Sequence, residues 1–344
     1  MDVNKVVGGS VLIFGDLHFS DVFNGKHKNY LQNCFAVLGK LSKIVEEVKP
    51  SAIVLGGDIV GWAETNVRNR EVLSVLCREL KAWGDYGTVY AVKGNHDIKG
   101  YPEFMFLSDI GIITTSAKCG GYFDYYGTAE QEIPEVRFHI VDYKDEDRIL
   151  AIHENPNVSN IVLGHNNYTI SGVTNWYSDF DGVELGRLQN YSDVDMVISG
   201  HIHNPSPEIV SATMISGNTC SLLYPGCPTR PIKEKEMYES CLAVKILYNP
   251  TTQSTDIDTI TIELEPSSEV FFSDEEFVDE KSEDEVEEQI RKEALHEVLG
   301  DLLKYRMNQG DPISQIDRIP NASDGAKEIA KSYLMQALNA SQGA

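Results

Sequence analysis

Short runs of consecutive apolar residues, separated by stretches with helical spacing, make up the first hundred residues. Apolar runs at 11–14, 52–55 and 88–92 predict buried strands. Between them, apolar side chains three and four positions apart predict helices over 30–48 and about 68–83. This alternation of strand and helix is typical of an α/β layered fold, in which sites form at the carboxyl ends of the strands.

After residue 110 the apolar runs are shorter, and they predict a second sheet that is mainly antiparallel. Candidate strands cover residues 111–115, 122–126, 136–141, 161–163, 209–215 and 219–223. A hairpin with strands over 240–247 and 257–264 turns at Asn249-Pro250. We expect this hairpin to close the domain near Pro266.

A polar, aromatic stretch from 166 to 191 interrupts this pattern. It predicts a loop with one helix near 182–188. The stretch contains Trp176, Tyr177 and Phe180, and two interpretations stay open. It either faces a substrate or packs over the edge of the core.

The C-terminal part of the chain has a different composition. Between Glu269 and Glu288 there are eleven acidic residues and one lysine, which indicates a solvated linker over 267–284. Residues 285–344 then show two amphipathic helical patterns. Two such helices bury little core alone, so they either pack on the domain formed by 1–266 or bind a partner.

Composition excludes some classes of protein and leaves others open. The formal net charge of −24 argues against tight nonspecific binding to nucleic acid, which favours a basic surface. The sequence contains no run of eighteen apolar residues, so we expect no membrane-spanning helix. The N-terminal residues do not show the pattern of a secretory signal. The six cysteines form no CxxC pair or regular framework. We expect reduced, mostly buried thiols in a soluble protein of the cytoplasm.

Five clusters of Asp, Asn and His each follow an apolar run. They are Asp16 with His18, Asp58, Asn95 with His96, His165, and His201 with His203. Residues two apart at a strand end face the same side, so both histidines of Gly200-His201-Ile202-His203 can turn toward one point. His153 also follows an apolar run, but Gly164 and the cleaner strand before it favour His165.

These residue types predict a phosphoesterase site with two metal ions. Hydrolysis of a phosphate ester needs neutralised phosphoryl oxygens and a hydroxide near neutral pH, and two cations supply both. A carboxylate can bridge two cations, and Asp58 is the natural bridge. We expect one metal to bind Asp16, His18 and His203. The other metal should bind Asn95, His165 and His201. Mixed imidazole, carboxylate and amide donors suit Mn, Fe or Zn.

His96 is predicted not to bind a metal. Beside the cations it can stabilise the transition state or protonate the leaving oxygen. Asp97 is predicted as a second catalytic residue that holds the His96 ring in its tautomer. An N-cap of a helix is the alternative role for Asp97.

The motifs over about residues 10–265 resemble those of the calcineurin-like metallophosphoesterases. The resemblance rests on Gly15-Asp16-Leu17-His18, Gly57-Asp58, Gly94-Asn95-His96-Asp97, Gly164-His165 and Gly200-His201-Ile202-His203. It implies a four-layer α-β-β-α sandwich, followed here by two C-terminal helices. Within the superfamily the chain is similar to the SbcD-type DNA repair nucleases. Those nucleases carry a Tyr-x-Gly-Ser-Pro segment, which resembles the segment from Tyr224 to Arg230 here.

The nuclease resemblance implies an activity, a metal and partners. The activity would be Mn-dependent exonuclease and endonuclease cleavage of DNA. The partners would be an SMC-like coiled-coil ATPase, bound through the C-terminal helices, and a second copy of the chain; no membrane is implied. Departures from the pattern are Gly61 in place of a histidine, Phe19-Ser20 in place of Leu-Gly, and no cap domain. They leave a stand-alone phosphatase or cyclic-nucleotide phosphodiesterase as the alternative.

Overall fold

The computed structural model describes most of the chain before residue 274. The described residues are 3–20, 27–61, 70–98, 102–145, 148–149, 152, 157–169, 183–184, 193–213, 219–231, 238–249, 251–252 and 254–273. The chain divides into two compact units, Met1–Asp274 and Glu275–Ala344. Both predicted C-terminal helices and residues 274–284 of the predicted acidic linker lie outside the described residues.

The described elements alternate between strands and helices, as the sequence predicts. In chain order they are β1 (Lys5–Val7), β2 (Ser10–Phe14), α1 (Tyr30–Val48), β3 (Ala52–Leu55), α2 (Arg70–Gly84), β4 (Thr88–Ala91), α3 (Asn95–Ile98), α4 (Pro102–Asp109), β5 (Thr114–Thr115), α5 (Ser116–Cys119), β6 (Tyr122–Tyr126), β7 (Val136–Val141), β8 (Ser159–Gly164), β9 (Tyr168–Thr169), β10 (Val183–Glu184), β11 (Met196–Ser199), β12 (Val210–Thr213), β13 (Thr219–Leu223), β14 (Ser240–Asn249), β15 (Ser254–Glu263) and α6 (Ser267–Val270).

The strands form two large sheets. The six-stranded sheet has the order β15-β14-β2-β3-β4-β5, and the seven-stranded sheet has the order β1-β6-β7-β8-β11-β13-β12. The expectation of a mainly antiparallel second sheet is wrong, because β7, β8, β11 and β13 pair in parallel. The hairpin of β14 and β15 is confirmed, but it extends the first sheet by pairing antiparallel to β2.

Two sheets packed face to face build the core. Val11 and Ile13 of β2 lie in one buried cluster with residues of the seven-stranded sheet, such as Phe138 and Ile161. Leu12 and Phe14 point to the opposite face, where they join a cluster with side chains from α1, α2 and α4. The α/β architecture with two layered sheets is therefore confirmed. Both faces of β2 are buried, which explains its continuous apolar run.

Two local predictions are corrected. Only Thr114–Thr115 of the predicted strand over 111–115 is extended, because helix α4 ends at Asp109 and turns occupy the residues between. The helix predicted near 182–188 is contradicted at Val183–Glu184, which pair in parallel with Tyr168–Thr169. The rest of the aromatic stretch beyond 169 lies outside the described residues.

The topology places the carboxyl ends of β2, β3 and β4 beside those of β8, β11 and β13. All six are inner strands of their sheets. Loops that leave the two sheets therefore meet along one edge of the sandwich, which is where α/β folds form sites. Within the described residues, no helix is long and apolar enough to cross a membrane.

Candidate metal centre

The five polar clusters meet at this edge. Asp16, His18, Asp58 and His165 are almost completely buried, with at most 1% of each residue exposed. Loops from both sheets contribute, since Asp16, Asp58 and Asn95 follow strands of one sheet and His165 and His201 follow strands of the other. The structure thus brings together every residue that the sequence predicts as a metal ligand.

The first donor group consists of Asn95, His165 and His201. The Oδ1 atom of Asn95 lies 3.0 Å from His165 Nε2 and 3.0 Å from His201 Nδ1. Ligand atoms about 2.1 Å from a shared cation, at right angles to one another, lie about 3 Å apart. The spacing of these three atoms therefore fits a common divalent cation.

The second donor group consists of His18, His203 and Asp16. The Nε2 atoms of the two histidines are 3.2 Å apart. Oδ2 of Asp16 lies 3.7 Å from His203 Nε2 and 4.0 Å from His18 Nε2. These distances are compatible with a second cation bound by two imidazoles and a carboxylate.

Asp58 lies between the two donor groups. Its Oδ2 atom is 3.1 Å from His165 Nε2 in the first group and 3.7 Å from His18 Nε2 in the second. Donor atoms of Asp16, Asp58 and His165 also lie within 4.8 Å of one another, so the carboxylates themselves form a possible metal site. This central position is the one that a bridging carboxylate requires.

Hydrogen bonds to the backbone orient the imidazoles. His165 Nδ1 donates to the carbonyl of Gly56 at 2.8 Å, and His18 Nδ1 donates to the carbonyl of Gly61 at 3.1 Å. A carbonyl oxygen only accepts, so each Nδ1 carries the proton and each Nε2 keeps a lone pair for a cation. The backbone of the loop after β3 therefore fixes the tautomer of both histidines.

Three of the predicted ligands have left-handed backbone conformations. The φ angles are 44° at His18, 44° at Asp58 and 79° at His201. Non-glycine residues rarely adopt this region, and each such residue costs about 1–3 kcal/mol. His18 N–H donates to the carbonyl of Asp58 at 2.7 Å, and His201 N–H donates to both oxygens of Asp16. Strain that is held in place by hydrogen bonds is typical of functional sites.

Gly94 leaves room for the central carboxylate. A Cβ atom at Gly94 would lie 2.1 Å from Asp58 Oδ1, whereas a Cβ at Gly39 in α1 would meet nothing within 4 Å. We expect Gly94→Ala to displace Asp58 and to weaken metal binding by at least about 10-fold. Gly39→Ala is the matched control, and it should stabilise α1 by about 0.5–1 kcal/mol. Metal titration and thermal unfolding of both variants check this; equal metal affinity in the two would contradict it.

Burial perturbs the acid–base chemistry of the centre. Burial raises the pKa of Asp16 to about 8, although His165 opposes the shift. Burial would also raise the pKa of Asp58, but the imidazoles of His165, His18 and His96 lower it below the ordinary range. For His165, burial lowers the pKa, while Asp58 and Asp16 raise it more strongly, to about 10. The buried carboxylates thus attract positive charge, and a donor set of this kind fits divalent cations.

Binding of manganese should release protons. A cation requires a neutral His165 and an ionised Asp16, whereas burial raises the pKa of Asp16 and the charges of Asp58 and Asp16 outweigh burial and raise the pKa of His165. We expect the release of at least about one proton per protein at pH 7 and tighter binding as the pH rises. Calorimetric titrations in buffers of different ionisation enthalpy measure this number. Binding that is independent of buffer and pH would contradict the assignment of these ligands.

Removal of metal should also destabilise the fold. A ligand that binds only the native state stabilises it by about 4 kcal/mol at a free concentration of 1,000 times Kd. We therefore expect a lower Tm after treatment with a chelator and recovery of the Tm when the metal is restored. Differential scanning calorimetry of full-length protein tests this, and an unchanged Tm in the two states would argue against a buried metal site.

His96 and Asp97 lie beside the donor groups. His96 Nε2 is 3.9 Å from Asp58 Oδ2, and 13% of the His96 side chain is exposed, so this ring borders both the centre and solvent. The backbone N–H of His96 donates to Asp58 Oδ1 at 2.8 Å. Asp97 Oδ2 accepts a hydrogen bond from Gly94 N–H at 3.0 Å, and burial followed by the charge of Asp58 raises the Asp97 pKa to about 7. The role of Asp97 in orienting His96 stays a prediction.

Other histidines lie away from the centre. His139 is in β7, where its Nε2 is 3.0 Å from Asn160 Oδ1, and His27 is buried, with its Nε2 donating to the carbonyl of Arg230 at 2.7 Å. His153 lies outside the described residues.

The sequence did not indicate two further contributors to the centre. Gly61 has a φ of 81° and supplies the carbonyl that orients His18. Cys227 lies after β13, and its sulfur is within 4.8 Å of the ring nitrogens of His18 and His203. The only signal in the sequence is that Cys227 occupies the serine position of the Tyr-x-Gly-Ser-Pro segment.

One protein family and several solved structures are similar to this chain. A family model described as calcineurin-like phosphoesterase matches residues 9–205. A dimetal phosphatase from Danio rerio is 12% identical with a TM-score of 0.45, over 75% of this chain and 99% of that one. The TT1561 protein of Thermus thermophilus is 11% identical with a TM-score of 0.43, over 73% and 98%. GAP50, described as the anchor in the inner membrane complex of Plasmodium, is 14% identical with a TM-score of 0.44, over 74% and 88%. No curated protein sequence matches the chain significantly.

Proposed function

The chain belongs to the calcineurin-like phosphoesterase family, whose members hydrolyse phosphoesters with the help of metal ions, and we propose that it is a two-metal phosphodiesterase that cleaves DNA. One observation carries the proposal: two donor groups share Asp58, with His96 at their solvent side. Distances of 3.1 Å and 3.7 Å from Asp58 Oδ2 to the two groups allow the carboxylate to serve both. A phosphodiester bound there would meet positive charge on one side and a histidine on the other.

The residues of the chain would hold two divalent cations, with manganese as the expected metal. Asn95, His165 and His201 would bind one cation, Asp16, His18 and His203 the other, and Asp58 both. When bound, such cations neutralise phosphoryl oxygens and lower the pKa of a water nucleophile. The imidazoles of His18 and His201 would be neutral, since burial lowers the pKa of each to about 4.

His96 would act on the leaving group or on the phosphoryl oxygens. Its ring borders solvent, and its backbone N–H is anchored to Asp58, so the side chain can reach a substrate without moving the bridge. A histidine in this position can donate a proton to the leaving oxygen or a hydrogen bond to a phosphoryl oxygen. Asp97 would support His96 through the short helix α3 that contains both residues.

Two features support DNA as the substrate and an ATPase as the partner. The segment from Tyr224 to Arg230 resembles the corresponding segment of SbcD-type nucleases, and it packs against the centre through Thr229, whose hydroxyl donates to the carbonyl of Leu17 at 2.7 Å. The amphipathic patterns in 285–344 suit docking on a coiled coil. We therefore include an SMC-like ATPase and a second copy of this chain as partners.

A small-molecule phosphodiesterase or phosphatase is the second candidate. The observation that favours it is Gly61, which stands three residues after Asp58, where the SbcD-type nucleases have a histidine. The net charge of −24 also disfavours a long polyanion. Under this alternative the same metal ligands act on a small ester, and no ATPase is needed.

Substrate preference separates the two candidates. We would incubate the full-length protein and manganese with linear double-stranded DNA, single-stranded DNA and bis-p-nitrophenyl phosphate, using chelator-treated protein as the control. Cleavage of either DNA that stops after chelation supports the nuclease. Turnover of the small diester with both DNAs intact, also in the presence of a coiled-coil ATPase, favours the second candidate and argues against the first.

A further inference from the structure

Cys227 is the one buried thiol beside the predicted metal ligands among the described residues. All six cysteines are free, and Cys34, Cys119, Cys220 and Cys241 are buried in apolar clusters. Cys227 is also completely buried, but its neighbours are polar: its sulfur lies within 4.8 Å of the ring nitrogens of His18 and His203. Two imidazoles and a thiol at this spacing are a soft donor set.

The backbone holds Cys227 in place from both sides. Its N–H donates to the carbonyl of His203 at 2.8 Å, and its own carbonyl accepts from the hydroxyl of Tyr238 at 2.6 Å. The preceding Gly226 has a φ of 86°, and a Cβ there would lie 2.9 Å from the carbonyl oxygen of His203. A Cβ at Gly15 would lie 2.0 Å from the carbonyl oxygen of Gly226. The loop after β13 is thus pressed against the loops that carry Asp16 and His203.

From this geometry we infer that Cys227 is a further ligand of the cation held by His18 and His203, and that its sulfur gives this position a preference for zinc over manganese. The inference rests on the proposed two-metal site and refines it: the Asn95, His165 and His201 position, with nitrogen and oxygen donors only, would take manganese. Thiolate sulfur selects zinc over manganese, whose preferred donors are oxygens.

Binding of sulfur involves loss of the thiol proton. Burial, followed by the charge of Asp16, raises the pKa of Cys227 well above its ordinary value, so the sulfur is protonated until a cation arrives. A bound cation would take the place of this proton, which would pass to the buffer, and no oxidant or reductant would be needed. The sulfur also lies 3.4 Å from the hydroxyl of Thr229, which donates to the carbonyl of Leu17.

X-ray absorption of the zinc-loaded wild-type protein tests the inference without a variant. We expect a zinc–sulfur distance of about 2.3 Å beside nitrogen and oxygen ligands at about 2.0–2.1 Å. A spectrum with nitrogen and oxygen ligands only would overturn the role of Cys227, although the two-metal site would stand. If the full-length protein binds no zinc, cobalt or manganese at all, the proposed function itself fails.

Variants identify the sulfur that binds. Cobalt-loaded wild-type protein should show a sulfur-to-cobalt charge-transfer band that disappears in Cys227→Ser and persists in Cys77→Ser, a half-buried cysteine of α2. We expect Cys227→Ser to weaken zinc binding by about 10-fold or more and manganese binding by much less. An unchanged cobalt band in Cys227→Ser, or equal losses for zinc and manganese, would overturn the inference. Thermal unfolding of each metal-free variant controls for loss of the fold.

Discussion

Replacement of His96 by alanine is expected to lower kcat for phosphodiester hydrolysis by about 10²–10⁴-fold while two metal ions remain bound. The reason is that the ring lies 3.9 Å from Asp58 at the solvent side, whereas the contact that supports the bridge is the backbone N–H of His96, which alanine keeps. Steady-state rates with manganese and metal analysis of the purified variant measure both effects.

The choice of substrate also separates the two roles open to His96. A general acid is needed most when the leaving group is a poor one, such as the alkoxide of DNA, and least for p-nitrophenolate. If His96 is the acid, the loss of rate is larger for DNA than for bis-p-nitrophenyl phosphate. If His96 stabilises charge on the phosphoryl oxygens, the rate of hydrolysis falls by a similar factor for both substrates. His139→Ala is the matched control, and a similar loss in that variant would contradict a catalytic role for His96.

Replacement of Asp58 by asparagine should abolish activity and metal binding together. Asn keeps the shape of the side chain and the hydrogen bond from His96 N–H, but it removes the charge that both donor groups share. Metal ions supply several kcal/mol of transition-state stabilisation, and a loss of about 4 kcal/mol corresponds to about 10³-fold in rate. We expect a decrease of about 10³-fold or more and less than one bound ion per protein.

Asp195→Asn controls for the general effect of removing a carboxylate. Asp195 precedes β11 at the end of the strand opposite to the centre, and its Oδ2 accepts from Asn160 N–H at 2.7 Å. This variant should keep full metal content and activity. Two bound ions and near-normal rates in Asp58→Asn would show that the two metal positions do not depend on this bridge.

The order of strands and helices was predictable, whereas their pairing was not. A continuous apolar run such as Val11 to Phe14 indicates a strand buried on both faces, and the spacing of apolar residues in Tyr30–Val48 indicates one helix. Both predictions are confirmed. Alternation of apolar residues in β14 reveals a strand but not its neighbour. Its pairing with β2, more than 200 positions earlier, depends on tertiary packing.

The location of the candidate centre was predictable for a physical reason. Polar residues directly after buried strands must collect at one sheet edge, so Asp16, Asp58 and His165 were expected to lie close together, and they do. The contribution of backbone groups was not predictable. That the carbonyl of Gly61 orients His18 depends on a φ of 81°, for which glycine alone is only a weak signal. Cys227 was missed because it lies after β13, beyond the five clusters, where a cysteine most often packs in the core.

The most direct test of the two-metal account is a titration of activity. Full-length protein is stripped with a chelator, manganese is added in known equivalents, and the rate of bis-p-nitrophenyl phosphate hydrolysis is followed. The account predicts no turnover at zero metal and a rate that reaches its plateau only as the second equivalent binds. A rate that is unchanged by stripping, or a plateau at one equivalent, would contradict it.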